Sequence, residues 1–552
     1  MKTKTLKYIT ACLVSCGIVA AVSSCADWDD HYDHYDPTTA QTANAQLTLW
    51  KQLQQNPQLS DFCQVLQQTK VFRNHKKTAV SYADLLDQGQ TFTLVAPVNN
   101  SFNRDSLLQL VQTNQGDSIV EKTFVMNHLS RSTTSLGSES ASSPSVMLML
   151  NSKHLAGNSQ AIEGVAVTTP NIHARNGILH VASRPMPYRQ NLYEALSFEP
   201  QLSSIGAMLR QYEHDRFDPD ASVSAGIVEG VPVYVDSVVV EENTLLQRIG
   251  YINAEDSTYW VLAPTQQAWQ KAFDEAAQYF QYDETVLKRD SIQQFWTLRA
   301  LLDDAVFNYT EQQSPTDSLI SVPYRANRNY NTTRRHVYHR FLKPFEPGGI
   351  LYNTTQIPCS NGILYTTDQW PFSPTDTYLR ELWSEAEQVQ YITADKDCSY
   401  NIRRLAADSI SESGYLQIIP RTATANWDLT MRVNNTLSGT YDICAIILPK
   451  AVANPNNPDL KPNKFKATIS YVDMEGKTQT FNCNNTQFQN DPLRVDTVVI
   501  AEAFQFPTCN YDQNDIKVTV KLQCSILARE TSRYAREMFL DCIYLRPRKV
   551  NN

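Results

Sequence analysis

The residues best equipped to recognise a ligand lie together between positions 324 and 340. Tyr324, Arg325, Arg328, Tyr330, Arg334, Arg335, Tyr338 and Arg340 combine rings with guanidinium groups. Guanidinium forks grip carboxylates, phosphates or hydroxyls, and tyrosine rings stack on the faces of ligands. The chain carries a formal net charge of -9. A basic, aromatic stretch on such a chain fits an anionic or sugar ligand. A long hairpin that keeps itself soluble has the same composition, and the two readings stand side by side. His336 and His339 would share a metal only on a helix, and the pattern here is β. No metal and no cofactor are expected.

Residues with catalytic spacing do not emerge. There is no Gly-x-Ser-x-Gly elbow, His-Glu-x-x-His pair or phosphate loop. With 17 Gly in 552 residues, nucleotide-cradling loops are not expected. Carboxylates for acid–base work are plentiful, but Asp303-Asp304 reads as a solvated face and Asp29-Asp30 as part of a tether. The acidic balance excludes a nucleic-acid surface, which needs clustered Lys and Arg. The reading is therefore of a protein that binds and does not catalyse.

The start of the chain has its own chemistry. Lys2, Lys4 and Lys7 precede a mostly apolar run from Tyr8 to Val22, too short to span a bilayer. It reads as a secretory signal. Val22-Ser23-Ser24-Cys25 follows, which resembles a bacterial lipobox. That resemblance implies lipid attachment at Cys25 and cleavage just before it. Several acyl chains give stable anchoring where one does not. Asp27, Asp29 and Asp30 resemble the surface-export signal of some Gram-negative lipoproteins, which implies an outer-membrane protein displayed at the cell surface. The segment from Asp30 to Asp36, rich in His and Asp, lacks the surroundings that fix metal ligands and reads as tether. Of eleven cysteines, eight lie beyond Cys25, none in a Cys-x-x-Cys pair. Runs such as Ile443-Cys444-Ala445 suit buried thiols as well as bridges.

Positioning any of these groups falls to an internal repeat. Thr93-Leu94-Val95-Ala96-Pro97 runs on to Phe102, and Trp260-Val261-Leu262-Ala263-Pro264 runs on to Trp269. Each is a strand ending in Ala-Pro, with an aromatic five residues after the Pro. Pro presets φ for a helical start, Asn99 or Thr265 can cap it, and the aromatic returns to the core. A second pair closes each repeat: Asn176-Gly177-Ile178-Leu179 and Asn361-Gly362-Ile363-Leu364. Asn-Gly between apolar runs predicts a two-residue hairpin turn, both residues accepting positive φ. The two motifs are 79 positions apart in the first repeat and 97 in the second. The extra 18 are placed within residues 310–349, around the Tyr/Arg segment.

These blocks resemble the two signature boxes of fasciclin domains, over roughly residues 46–372. Leu59-Ser60-Asp61-Phe62 and Leu192-Tyr193-Glu194-Ala195-Leu196 fit the helix before the first box. Where the family often has a Tyr-His pair, His128 matches in the first repeat; Arg299 to Asp303 in the second has neither residue. The resemblance implies a β-wedge with packed helices and an adhesive or matrix-binding role. After residue 390 strand-length runs recur between turn residues, among them Thr440 to Leu448, Lys464 to Val472 and Met538 to Leu545. They predict an antiparallel sandwich of seven or eight strands, with a turn at Met474-Glu475-Gly476-Lys477. The stretch Phe539 to Pro547 resembles the last strand of jelly-roll carbohydrate-binding modules.

The expected architecture is α+β: two tandem fasciclin-like domains followed by an antiparallel jelly-roll-like β-sandwich. The expected boundaries are 1–24 (signal peptide), 25–45 (acidic tether), 46–190 and 191–374 (fasciclin-like domains), and 390–552 (sandwich). The expected partners are a membrane, through the lipid, and an extracellular protein or glycan. An alternative is accessory glycan capture beside an outer-membrane transporter. A surface glycosidase is a third reading.

Overall fold

A computed structural model describes residues 45–137, 144–228, 231–308, 317–322, 339–456, 459–483 and 487–548. The chain divides into two compact units, one ending at Arg189 and the other beginning at Gln190. No helix among the described residues is long and apolar enough to cross a membrane.

In the first unit, helix α1 (Leu49–Gln55) starts where the Thr48 hydroxyl accepts the Lys51 amide. It buries Leu49, Trp50 and Leu53, and α2 (Ser60–Gln68) buries Phe62, Val65 and Leu66. Strand β1 (Phe92–Pro97) is buried along its whole length. It belongs to a seven-stranded sheet with β2 (Leu129–Ser130), β3 (Ser145–Leu148), β4 (His154–Gly157), β5 (Ala161–Ile162), β6 (Val165–Ala174) and β7 (Gly177–Ala182). Their order is β2-β1-β7-β6-β5-β4-β3. The two signature blocks meet here: β1 and β7 pair in parallel, Phe92 opposite Gly177 through Pro97 opposite Ala182. Side chains alternate across a strand. Leu94 and Ala96 therefore join the helical core, and Val95 enters a separate cluster with Met147, Ile162 and Val165.

The second unit opens with α3 (Leu192–Phe198), capped reciprocally by Asn191 and Glu194, and α4 (Ser203–Arg210). Two long strands follow, β8 (Glu213–Val228) and β9 (Val231–Asn243), paired only with each other. Then come β10 (Tyr259–Pro264), α5 (Gln266–Ala277), α6 (Arg289–Leu302), β11 (Val306–Asn308), β12 (Thr355–Cys359) and β13 (Gly362–Thr367), in the sheet order β11-β10-β13-β12. Strands β10 and β13 repeat the parallel pairing, Tyr259 opposite Gly362. The second repeat is thus longer in two places. Residues 213–243 stand where the first repeat has the short hairpin Lys70–Arg73 and Lys76–Ser81.

The sandwich has twelve strands among the described residues, more than the seven or eight expected. They are β14 (Leu382–Glu385), β15 (Ile392–Lys396), β16 (Cys398–Arg404), β17 (Gly414–Pro420), β18 (Asp428–Arg432), β19 (Thr440–Leu448), β20 (Lys464–Val472), β21 (Thr478–Asn482), β22 (Phe488–Gln489), β23 (Asp496–Gln505), β24 (Thr519–Cys524) and β25 (Met538–Pro547). One sheet runs β16-β17-β25-β19-β23, with β14 also on β25; the other runs β15-β18-β24-β20-β21, with β22 on β20. All pairs are antiparallel. Several of the uncounted strands are two to five residues long, too short for alternation to stand out. Gly476, at φ 80°, makes the predicted turn between β20 and β21.

The second repeat and the sandwich share one core. Tyr279, Phe280, Tyr282, Trp296 and Ala300 pack in the same cluster as Leu416, Trp427, Tyr441 and Phe506. Hydrogen bonds cross the same seam, from the Tyr282 hydroxyl to the Tyr511 carbonyl at 3.0 Å and from the Ser438 amide to the Tyr279 carbonyl at 2.9 Å.

Candidate functional site

The Asn-Gly motif does a different job from the one its spacing suggests. Ala174 pairs with Gly177 and Cys359 with Gly362, so the two-residue loops are Arg175-Asn176 and Ser360-Asn361. Only the glycines take positive φ, 143° and 150°. A Cβ on Gly177 would lie 1.8 Å from the Phe92 carbonyl oxygen, and one on Gly362 1.8 Å from that of Tyr259. Glycine is needed for the close approach of the parallel strands, not for the turn. Asn176 is the clamp beside it: its Oδ1 accepts the Leu49 amide (2.7 Å), and its Nδ2 donates to the Leu86 and Gln88 carbonyls. Asn361 repeats this with the Leu192 amide (2.9 Å) and the Ile252 and Ala254 carbonyls. Each clamp ties the first helix of its repeat to the closing hairpin.

The capping roles also shift. Asn99 accepts the Asp61 amide and so serves α2, not the helix after it. Thr265 precedes α5 without a side-chain cap bond. Phe102 packs against the core and Trp269 is buried, as the spacing predicts.

His128 is wholly buried. Its Nδ1 donates to the Phe124 carbonyl (2.7 Å) and its Nε2 accepts the Met186 amide (2.9 Å). Burial lowers its pKa to about 4. It is a neutral internal crosslink with no surface to offer a partner. Asp303-Asp304 is not a solvated face. Asp304 is 2% exposed, 2.6 Å from His339 Nδ1 and 3.4 Å from Arg380. Asp303 meets the buried Arg299 at 3.4 Å, and Arg299 lies over the Trp296 ring. Burial pushes the Asp303 carboxyl up to about 6 against the pull of Arg299. This charged group lines a crevice against Tyr378, Tyr441 and Tyr511, where α6 meets the sandwich. The signal in the sequence was the four-residue spacing of Arg299 and Asp303 on one helix.

One outward patch has the makings of a binding surface. Trp383 on β14 stands opposite Tyr544 on β25, their rings 4.2 Å apart between centroids. Both are half-buried, and the Tyr544 hydroxyl donates to Glu381. Next along β25, Arg546 pairs with Asp442 at 2.8 Å; Arg548 bridges Asp442 and Glu502, each at 2.6 Å. Although burial pushes the Asp442 carboxyl up, the Ala503 amide and both guanidinium groups hold it below the usual carboxylate range. A ring pair beside fixed charged groups suits a ligand with one apolar face and several hydroxyls.

The predicted ligand residues Tyr324, Arg325, Arg328, Tyr330, Arg334, Arg335 and Tyr338 lie outside the described residues, as do Cys25 and His336. The flanks of the Tyr/Arg segment are described: Ser318–Ile320 pairs antiparallel with Arg340–Leu342. The eight cysteines beyond Cys25 are all free thiols, and every one but Cys359 is buried.

Residues 57–187 match the family model of the fasciclin domain. Curated protein sequences give no match. Among solved structures, the chain is similar to a FAS1 domain pair from the insect cell adhesion molecule fasciclin I (11% identity, 52% of this chain and 90% of that one, TM-score 0.19). It is also similar to the CBM22-1 xylan-binding domain of Paenibacillus barcinonensis Xyn10C (16% identity, 31% and 95%, TM-score 0.21). A third likeness is to a tailspike protein of bacteriophage CBA120 (11% identity, TM-score 0.20), of which the match covers 20% against 29% of this chain. At such TM-scores none of the three carries a functional argument. The parallel pairing of the two signature blocks, the Asn176 clamp and the family match agree: residues 57–187 are a fasciclin domain, which implies a part in adhesion or binding.

Proposed function

We propose that this chain is a non-catalytic surface lipoprotein of a Gram-negative bacterium, held in the outer membrane by lipid on Cys25, that binds extracellular glycan or protein. The observation that carries the reading is the fasciclin domain at residues 57–187. Support for the anchor comes from Val22-Ser23-Ser24-Cys25 and the acidic residues after it. The second repeat uses the same Asn-Gly clamp, which supports a tandem of two such domains. Glycan binding is assigned to the Trp383–Tyr544 patch, where rings and polar groups stand together.

The test is an array of glycans and matrix proteins probed with the full chain and with Trp383→Ala plus Tyr544→Ala. Sugar binding lost in the double variant supports glycan capture, the role expected beside an outer-membrane transporter. Protein binding that survives it supports adhesion through the fasciclin domains. Silence on every glycan and protein counts against both. For the anchor, Cys25→Ala should release the chain from the membrane fraction, and its retention there would overturn the lipid assignment.

A further inference from the structure

The two sheets of the sandwich turn opposite faces outward, and the second sheet carries its own chemistry there. Leu429, Met431, Ala467, Ile469, Val520 and Leu522 fill the core from β18, β20 and β24. Side chains alternate along a strand, so the residues between them point out, in continuous rows. Asp428, Gln523 and Lys466 form the first row, Thr430, Lys521 and Thr468 the second, and Arg432, Thr519 and Ser470 the third. Lys396 on β15 extends the first row, opposite Asp428. Lys396 and Lys466 are exposed; Lys521 and Arg432 are half-buried.

Arg432, Lys521 and Lys466 thus cross the face on a diagonal, stepping two residues at each strand. Such neighbours lie about 7–8 Å apart. Among the described residues neither they nor Lys396 makes an ion pair. Arg432 lies over the Tyr391 ring at 5.3 Å, and its Nε has no hydrogen-bond partner, so stacking steadies the guanidinium without neutralising it. The one carboxylate in the rows, Asp428, accepts the Gln523 amide at 3.2 Å. Four cations less one carboxylate leave three positive charges on this face of a chain whose formal net charge is -9. Screening limits the reach of exposed charges to about 8–10 Å, so acids elsewhere on the chain do not cancel the face at contact. The rows hold no aromatic ring, the feature a sugar would stack on. Thr and Ser stand between the cations, and their hydroxyls can donate to phosphate oxygens. Spread cations on an open polar face fit a layer of anionic headgroups.

We propose that this face docks on the anionic phosphate headgroups of the membrane that holds the chain, through Arg432, Lys521, Lys466 and Lys396. The proposal rests on the lipid-anchor reading above and gives it an orientation. Trp383 and Tyr544 belong to the other sheet, so docking turns their patch away from the bilayer, toward the medium from which a ligand arrives.

The experiment sediments the full chain carrying Cys25→Ala with vesicles, so that no acyl chain contributes. Vesicles of phosphatidylglycerol and phosphatidylcholine in equal parts should bind it, vesicles of phosphatidylcholine alone should not, and high salt should release it. Lys466→Gln and Lys521→Gln should each lower partitioning about fivefold, with the melting temperature unchanged. Lys271→Gln, on the exposed side of α5, should leave partitioning as it was. No binding to the anionic vesicles would overturn the proposal. So would equal binding to both kinds of vesicle, indifference to the two face variants, or tight binding to polygalacturonate with the vesicles left bare, which would give the face to a glycan. Since Cys25 is replaced throughout, failure here leaves the lipid assignment standing, and that assignment fails separately if Cys25→Ala stays in the membrane fraction at high salt.

Discussion

The two repeats share a frame and differ in what closes it. In the first, the helices pack around a core of their own, and the turn ahead of β2 is closed by neutral His128, which spends both ring nitrogens on backbone partners. In the second, the corresponding end of α6 faces the sandwich. It is closed by charges: Arg299 with Asp303, and Asp304 with His339 and Arg380. A helix end that meets its own core can stay uncharged. One that docks a neighbouring domain can use paired charges, which are costly to leave unmatched and so favour a single docked arrangement. The first repeat has a core made of its own residues, whereas the second is built into the sandwich through Tyr279, Phe280 and Trp296.

The largest effect should come from Gly177→Val and Gly362→Val. Each places a side chain against a carbonyl oxygen at a φ that β-branched residues avoid, at a cost of more than about 4 kcal/mol. Calorimetry should show the first variant losing only the first unit and the second losing the sandwich along with its own repeat. A sandwich transition that survives Gly362→Val would break the shared-core reading. Next, Arg299→Met leaves the Asp303 carboxylate without its guanidinium partner and should cost about 3–5 kcal/mol, seen as a lower denaturant midpoint for the second unit alone. Asn176→Ala and Asn361→Ala should each cost about 1–3 kcal/mol, because each strands one helical amide and two carbonyls. Equal losses in the two variants would sharpen the claim that the clamps are equivalent.

The smallest effect is in pH and has opposite sign in the two repeats. His128 is depressed to about 4. The stability it contributes is present above its ordinary value and is lost as pH falls toward 4. Asp303 is raised to about 6. Its contribution is present below its ordinary value and is lost as pH rises through 6. Burial also raises Glu121 in the first unit to about 6, which opposes His128, so the comparison is made against variants. From about pH 7 to about pH 5, the advantage of wild type over His128→Gln should shrink and its advantage over Asp303→Asn should grow. Parallel trends in melting temperature would refute the contrast.

Much of the frame was legible because it rests on short, strongly typed blocks. A buried β-run ending in Ala-Pro, with an aromatic five residues later, can hardly be anything but a strand leading to a core contact. Asn-Gly after a strand announced a hairpin at the right place in each repeat. It concealed the reason for the glycine, since the crowding carbonyls of Phe92 and Tyr259 come from strands more than eighty residues away in sequence. The same distance hid the seam. Asp303-Asp304 looked like a solvated pair because nothing within one helix turn shows that Tyr441 and Tyr511 will cover it. The short sandwich strands escaped because alternation needs several residues to be seen.

The sequence by itself determined the repeat, the strand-to-helix corners, the long sandwich strands and the turn at Gly476, since each depends on residues near one another along the chain. The tertiary structure alone decided that His128 is silent, that Asn176 and Asn361 are clamps, and that the second repeat fuses to the sandwich. It alone brought Trp383 to Tyr544 and set Arg432 on one diagonal with Lys521 and Lys466. Those outcomes depend on burial and on partners distant in sequence, and burial sets the charge and the available hydrogen bonds of a side chain only once the chain has folded.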